Sequence, residues 1–425
     1  MEARADPGPR YRWAILAMAA AVVFAALGLS RFSYTSILPA MQEGLDLSNT
    51  EAGALATANL AGYMTMAIVG GALASRFGPR RVITGGLLLA CIGMVITGLA
   101  TGYPMALGGR FLSGVGAAGS NIPAHTMIAA WFSLRRRGLA TGTAATGASV
   151  GLVVVGPLVP FIISGFGEDG WRMAWLILAA VVGLLAIVSF IVIRDRPGYR
   201  PADHGPAIPR TPGDWKKIYV SPRVWHLGIV YFMFGFAYMA YMTFFTKRLI
   251  ADLGYTPEGA GTMFMILGWS SLVCGVLWGS IADAVGRKWA MVAILFIQSI
   301  AYLLFAVWTG ATGIVVSAVL FGITAWGIPA IMAVVCGDIV GPLMAPAAYG
   351  FLTLFHGFGQ AAGPYVAGRL ADSLPTFTPS YLMAAGVAFL GAIGLLLLRW
   401  APGRPGRGTA EPACEVATVE VVPPL

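Results

Sequence analysis

The chain has 425 residues, of which 58% are hydrophobic and only 11% charged, with a mean hydropathy of +0.78 and a formal net charge of +9. That is less than half the charge of an ordinary soluble protein, which excludes a water-solvated fold. With no soluble basic domain to carry it, the positive balance also excludes a nucleic-acid partner. The four cysteines are scattered, Cys91, Cys274 and Cys336 in apolar stretches and Cys414 in a Pro-rich tail, so no disulfide framework is expected.

A hydrocarbon core of roughly 30 Å takes about 20 apolar residues as a helix. Runs of that kind occupy 13–40, 52–74, 82–100, 105–130, 139–163, 173–193, 224–246, 260–282, 289–308, 313–335, 346–367 and 381–398. In lipid every backbone amide needs an internal partner, so all are predicted to be helices, giving an all-α membrane protein with twelve transmembrane helices. The first run is too long for a signal-peptide core and lacks a small-residue cleavage site, so it is read as retained. The predicted division is a cytoplasmic N-terminus (1–12), a six-helix bundle (13–193), a Pro-rich linker (194–223), a second six-helix bundle (224–400) and a disordered tail (401–425).

Charge sets the orientation. Most of the 27 Lys and Arg residues lie in even-numbered connections or the tails, including Arg76, Arg80, Arg81, Arg135, Arg136, Arg137, Arg287 and Lys288. Odd-numbered connections carry Glu43, Asp46, Glu51, Glu168 and Asp169 instead. Positive residues stay inside, which predicts both termini in the cytoplasm and a multi-pass protein of the plasma membrane.

The chain repeats itself at an offset of 208. GALASRFGPRRV (71–82) returns as GSIADAVGRKWA (279–290), LSNTEAG (47–53) faces YTPEGAG (255–261), and Gly114 faces Gly322. Ile122-Pro123-Ala124 returns two residues early as Ile328-Pro329-Ala330. Repeated halves with a site between them near the midplane mark transporters that work by alternating access.

On these motifs the chain resembles the major facilitator superfamily over its whole membrane part. The basic hook is similar to that family's Gly-x-x-x-Asp-Arg-x-Gly-x-Arg loop: Gly71, Arg76, Gly78 and Arg80 match, while Ser75 replaces the acid. The second copy keeps Gly279, Asp283, Gly286 and Lys288, with Ala284 in place of the arginine. The resemblance implies two pseudo-symmetric bundles and a gating role for Arg76, Arg80, Asp283 and Lys288, which would latch the halves at the cytoplasmic side. The alternative is that the basic residues only set topology.

Ionisable groups inside spans are costly and usually functional. All 18 Asp and Glu residues fall in loops, tails or helix ends, whereas Arg31 and Arg110 lie within helices. By segment midpoint both are roughly 7–11 Å to the outer side of centre. Two deep cations with no buried acid suit an anionic substrate, whose carboxylate accepts forked hydrogen bonds from guanidinium. Arg31 is expected to face the cavity with Tyr34 and Thr35 beside it. Arg110, with Gly114, Gly116 and Ala117, resembles the superfamily's fourth-helix pattern, which implies a structural or gating arginine bound to backbone carbonyls. Asn121, near the midplane, is a further substrate contact. In the seventh helix Tyr231, Phe234, Tyr238, Tyr241 and Phe245 share a face, a pattern of either packing or binding; Tyr238 and Tyr241 are its substrate-binding candidates. His356, close to the midplane with Gln360 one turn on, is the candidate proton carrier, or a donor to a neighbouring carbonyl.

WFSLRRRGLATGTAATGASVG (131–151) is similar to the entry of the fifth helix in monocarboxylate and oxalate–formate porters. The acidic-Gly-Gly-Trp opening of the first helix and a charged pair in the eighth helix are absent. The expectation is therefore a secondary transporter, not an enzyme, moving a small monocarboxylate-like organic anion by proton symport or exchange. Its expected partners are the anion, protons and the bilayer, with no cofactor or metal, and the chain is expected to act as a monomer. The alternative is proton-driven efflux of amphipathic compounds, favoured by the aromatic lining and by GLVVVGP in the fifth helix, but weakened by the missing membrane carboxylate. A sensor on the same fold would need a signalling domain, and none is recognisable in the sequence.

Overall fold

The computed structural model describes residues 10–132, 134–194, 219–340 and 345–398, and among them every regular element is helical. Most of the predicted linker, the extreme N-terminus and the tail, with Cys414, lie outside the described residues. The first half contains α1 (Tyr11–Val23, Phe24–Phe32 and Ser33–Gly44 in one continuous run), α2 (Asn49–Phe77), α3 (Pro79–Gly98), α4 (Tyr103–Trp131), α5 (Leu134–Phe166) and α6 (Gly170–Val192). The second half contains α7 (Pro222–Thr243), then a short helix Phe245–Ala251. It continues with α8 (Pro257–Ser271 and Cys274–Val285, bent by 41°), α9 (Arg287–Val307) and α10 (Ala311–Gly322 and Gly327–Val340). Last come α11 (Ala345–Ser373) and α12 (Thr378–Leu397). Among the described residues seven helical stretches, one of them running through both α5 and α6, are by length and composition apolar enough to cross a membrane, or eight if the bent α8 is one span.

The sequence repeat is a repeat of local devices. Ser48 and Thr256, 208 residues apart, are the N-caps of α2 and α8: Ser48 accepts from the Glu51 amide in a capping box, and Thr256 from the Gly259 amide. Gly78 (φ 84°) and Gly286 (φ 93°) turn the chain from α2 into α3 and from α8 into α9, in a region of backbone space nearly closed to other residues. Gly114 lets α4 touch α2 so closely that a Cβ there would stand 1.9 Å from the Asn59 carbonyl oxygen. Gly322 does the same against Leu267 of α8, with 2.7 Å. Small residues permit such contact where lipid supplies no hydrophobic drive.

The basic hooks follow the same symmetry. Arg80 Nε donates to the Phe190 carbonyl at 2.6 Å, and its guanidinium lies 4.0 Å from the Phe190 ring centroid. Lys288 Nζ donates to the carbonyls of Leu396 and Leu398 at 2.9 and 2.8 Å. Positions 190 and 398 are again 208 apart. Each cation satisfies the orphaned carbonyls at the C-terminal end of its own bundle's last helix. These bonds therefore stay within a half, where the hook resemblance implied a latch between halves. Arg76 and Asp283 are exposed, Arg76 lying over the Phe77 ring.

Contacts between the halves have a direction. Thr35 donates to the Met242 carbonyl at 3.0 Å, Thr246 donates to the Thr35 carbonyl, and Thr57 donates to the Ala361 carbonyl at 2.6 Å. Asp372, at the end of α11, accepts from the Asn49 and Thr50 amides at 2.8 and 2.7 Å. Nearer the middle, Ser271 and Trp326 both donate to Ser149. These bonds lie at mid-depth or toward the end of the molecule opposite the termini.

Candidate functional site

The site begins where α1 departs from regular pitch. Phe24–Phe32 is π-helical, and Arg31 is its penultimate residue. Wide turns of this kind are uncommon and are frequent at functional sites. Arg31 is 9% exposed, and its Nη2 donates across the interface between the halves to Gln360 Oε1 at 2.8 Å. Its guanidinium lies 5.3 Å from the Tyr63 ring centroid and its Nε has no partner. Gln360 Nε2 in turn lies 2.9 Å from His356 Nε2, one helical turn away. The His356 imidazole stacks on Tyr231 of α7 at 4.3 Å and 7° between planes, with Phe234 behind at 5.3 Å. On the other side Asn121 donates to the Tyr63 hydroxyl at 2.8 Å. A polar line thus runs Asn121–Tyr63–Arg31–Gln360–His356, from α4 through α2 and α1 to α11, enclosed by apolar helices.

Arg110 meets a different fate. It is 1% exposed, donates to the Ser30 carbonyl at 3.0 Å, and lies over the rings of Tyr34 (4.5 Å) and Trp175 (5.2 Å). This is the backbone-bound arginine that the fourth-helix pattern implies. Tyr34 directs its hydroxyl to the Ala52 carbonyl at 2.7 Å, so its ring serves Arg110 while its polar end ties α1 to α2. Arg31, Tyr34, Thr35, Asn59 and Arg110 nevertheless line one small cavity with Met239, Met242 and Thr243 of α7. It has room for no more than a single water molecule. Unpartnered Arg31 Nε, Arg110 Nε, Asn59 Oδ1 and Thr243 Oγ1 belong to its lining residues.

The α7 stripe divides. Tyr238 packs among Phe234, Phe321 and Trp326 at 5.8–5.9 Å. Tyr241 shares a hydrogen bond with Ser317 at 2.9 Å and sits in a cluster with Tyr302, Phe305, Phe321 and Tyr381, away from Arg31. Sequence reasoning missed two residues. Tyr63 carries no pattern that marks it. Arg248 lies just beyond the predicted seventh span, yet the short helix Phe245–Ala251 buries it to 1% exposure, donating to the Ala306 carbonyl at 2.7 Å. Its guanidinium lies against Phe305 and Tyr381.

Of the three arginines buried among the described residues, Arg110 and Arg248 are bonded to main-chain carbonyls and Arg31 to a side-chain amide. Only the last of these acceptors can turn away without unwinding a helix. The arrangement can therefore hold a cation ready for an exchangeable acceptor between two bundles.

Comparison with known proteins agrees with this architecture. The profile of the uncharacterised MFS-type transporter YbfB family matches residues 23–396. The hexuronate transporter of Bacillus subtilis is 24% identical over 411 residues, 90% of this chain and 94% of that one. Human monocarboxylate transporter 11 is 27% identical over 407 residues, 91% and 82% of the two chains. The crystal structure of a bacterial homologue of the human lysosomal transporter Spinster, inward-facing and unoccupied, superposes with a TM-score of 0.70 at 18% identity, covering 92% of this chain and 99% of that one. Repeat, helical fold and family profile converge: the chain is a transporter of the major facilitator superfamily.

Proposed function

We infer that this transporter moves a small organic anion, carboxylate or similar, by alternating access, with Arg31 as the primary anion contact and His356 as the proton carrier. The observation that carries the reading is the Arg31–Gln360 bond: a buried guanidinium held by a neutral, replaceable acceptor at the boundary between the halves. A carboxylate would displace the amide and gain a charge-assisted, forked pair. No carboxylate among the described residues pairs with Arg31, so nothing there competes with an incoming anion. Relatives named for hexuronate and monocarboxylate transport support the same substrate class. With the basic connections inside, the inter-half bonds of Thr35, Thr246, Thr57 and Asp372 fall toward the extracellular side. Efflux of amphipathic compounds is less well supported, because Tyr241 and its neighbours on α7 are committed to packing.

The test is a thermal-shift screen of the purified protein against carboxylates, sulfonates, amines and neutral sugars. A ligand at 100 times its Kd stabilises the folded state by about 2.7 kcal/mol, so anions should raise the melting temperature and amines and sugars should not. Stabilisation by an amine or a sugar alone would reject the reading.

A further inference from the structure

Donor and acceptor inventories fix the direction of the Arg31–Gln360–His356 chain. Guanidinium has donors only, so the amide oxygen of Gln360 must face Arg31, and its NH2 must face His356. An NH2 can only donate, so His356 Nε2 accepts and carries no proton. The imidazole is then neutral, with its hydrogen on Nδ1. We propose that Gln360 is a coupling switch whose amide can satisfy Arg31 or a protonated His356, but not both, so that proton and anion bind together. The inference rests on Arg31 being the anion contact.

The exchange follows from the same inventory. A proton delivered from water to His356 Nε2 makes both ring nitrogens donors, and the Gln360 NH2 then faces another donor. Rotating the amide turns its oxygen to the imidazolium and its NH2 to Arg31. Arg31 loses its acceptor in a site where an unpaired guanidinium is costly. An anion entering between them accepts from Arg31 and from the turned NH2, and its charge offsets the two cations. Release of the anion reverses the rotation, and the proton on Nε2 returns to water.

Arg31 is a like charge that opposes a proton on His356 until an anion lies between them, and the aromatic ring on the other side favours it. The ionisable groups facing the chain are Arg31 of α1, Tyr63 of α2, Tyr231 and Tyr238 of α7, and Tyr349 on the same helix as His356. The parallel Tyr231 ring presents a π-face to an imidazolium at 4.3 Å. Met64, on α2, closes over the neighbouring Gly357.

Two measurements on the full chain test the switch. The protein has four histidines, so nitrogen-15 NMR of histidine-labelled protein in lipid nanodiscs, with His356→Gln to assign the signal, reads the His356 tautomer without any substrate. The expected anion-free state near neutral pH is protonated at Nδ1 and bare at Nε2; a proton on Nε2 would overturn the proposal. The second measurement is binding of glucuronate and of lactate to wild type and to Gln360→Leu at about pH 5.5 and about pH 7.5. Wild type should bind its anion about tenfold tighter at the lower pH, within the usual range of coupling between two sites. In Gln360→Leu that ratio should fall below about twofold. A variant that keeps the wild-type ratio, or a wild type that binds with no pH dependence, would overturn the switch while leaving the anion site in place. A wild type that binds neither anion at either pH would overturn the anion site, and the switch with it.

Discussion

Arg110 and Arg248 each complete a helix carbonyl and rest against aromatic rings, whereas Arg31 holds a partner that can be replaced. Arg110→Ala should therefore act on stability. Leaving the buried Ser30 carbonyl without its donor costs about 1–3 kcal/mol, read as a lower melting temperature in detergent whether or not an anion is present. His356→Gln should leave melting nearly unchanged but abolish the response of transport to an imposed pH gradient; an unaltered response would remove the histidine from coupling. Part of this was legible beforehand. The four-residue spacing of His356 and Gln360 places them together on any helix, and the arginines stand out because nothing else in the spans is charged. The Arg31–Gln360 bond was not legible, since it joins residues 329 apart across the interface. Tyr34 and Thr35 do line a cavity with Arg31, but their hydroxyls serve Ala52 and Met242, because the α1 backbone is packed against α2 and α7 there.

At the level of single helices, matched motifs perform matched tasks. The caps at Ser48 and Thr256 and the glycine turns at Gly78 and Gly286 could be read as pairs from the sequence, because local geometry dictates residue type at those points. The task of Arg80 and Lys288 could not, because their carbonyl partners lie 110 residues away at the far end of each bundle. Arg248 escaped for a related reason: the seventh span continues as a short helix beyond the apolar run that marks it. Gly286→Ala should cost about 1–3 kcal/mol, since a Cβ is forced into glycine-only backbone space. Gly279→Ala is the control. That glycine is helical with open space around its Cβ position, and the change should be neutral or stabilising by up to about 1 kcal/mol. Equal losses in thermal melts of the two variants would contradict this account of the hook.

Across the whole molecule, the halves are fastened at the end away from the termini. Asp372 sits at the N-terminus of α2 and accepts from the Asn49 and Thr50 amides, where a carboxylate also meets the positive end of the helix. Burial would raise its carboxyl, but the hydrogen bonds from Thr50 and Asn49 outweigh it and hold the group below the ordinary carboxylate value. A depressed carboxyl favours the fastened state above its unfastened pKa and loses that contribution as pH falls through the fastened one. The fastening is therefore complete at neutral pH and weakens only in acid. Asp372→Ala should remove about 0.5–1 kcal/mol, shifting the population toward separation of α2 and α11 by up to roughly fivefold. Spin labels on the two helices at that end would report longer distances, and unchanged distances would deny the contact a role in the conformational equilibrium.

The central claim is that Arg31 receives the anion, and uptake of labelled glucuronate and lactate into proteoliposomes tests it most directly. Wild type should accumulate one of them, Arg31→Ala should lose roughly 30-fold or more, as when one side of a buried charge pair is truncated, and the purified variant should melt near the wild-type temperature. Uptake by Arg31→Ala at the wild-type rate would contradict the claim.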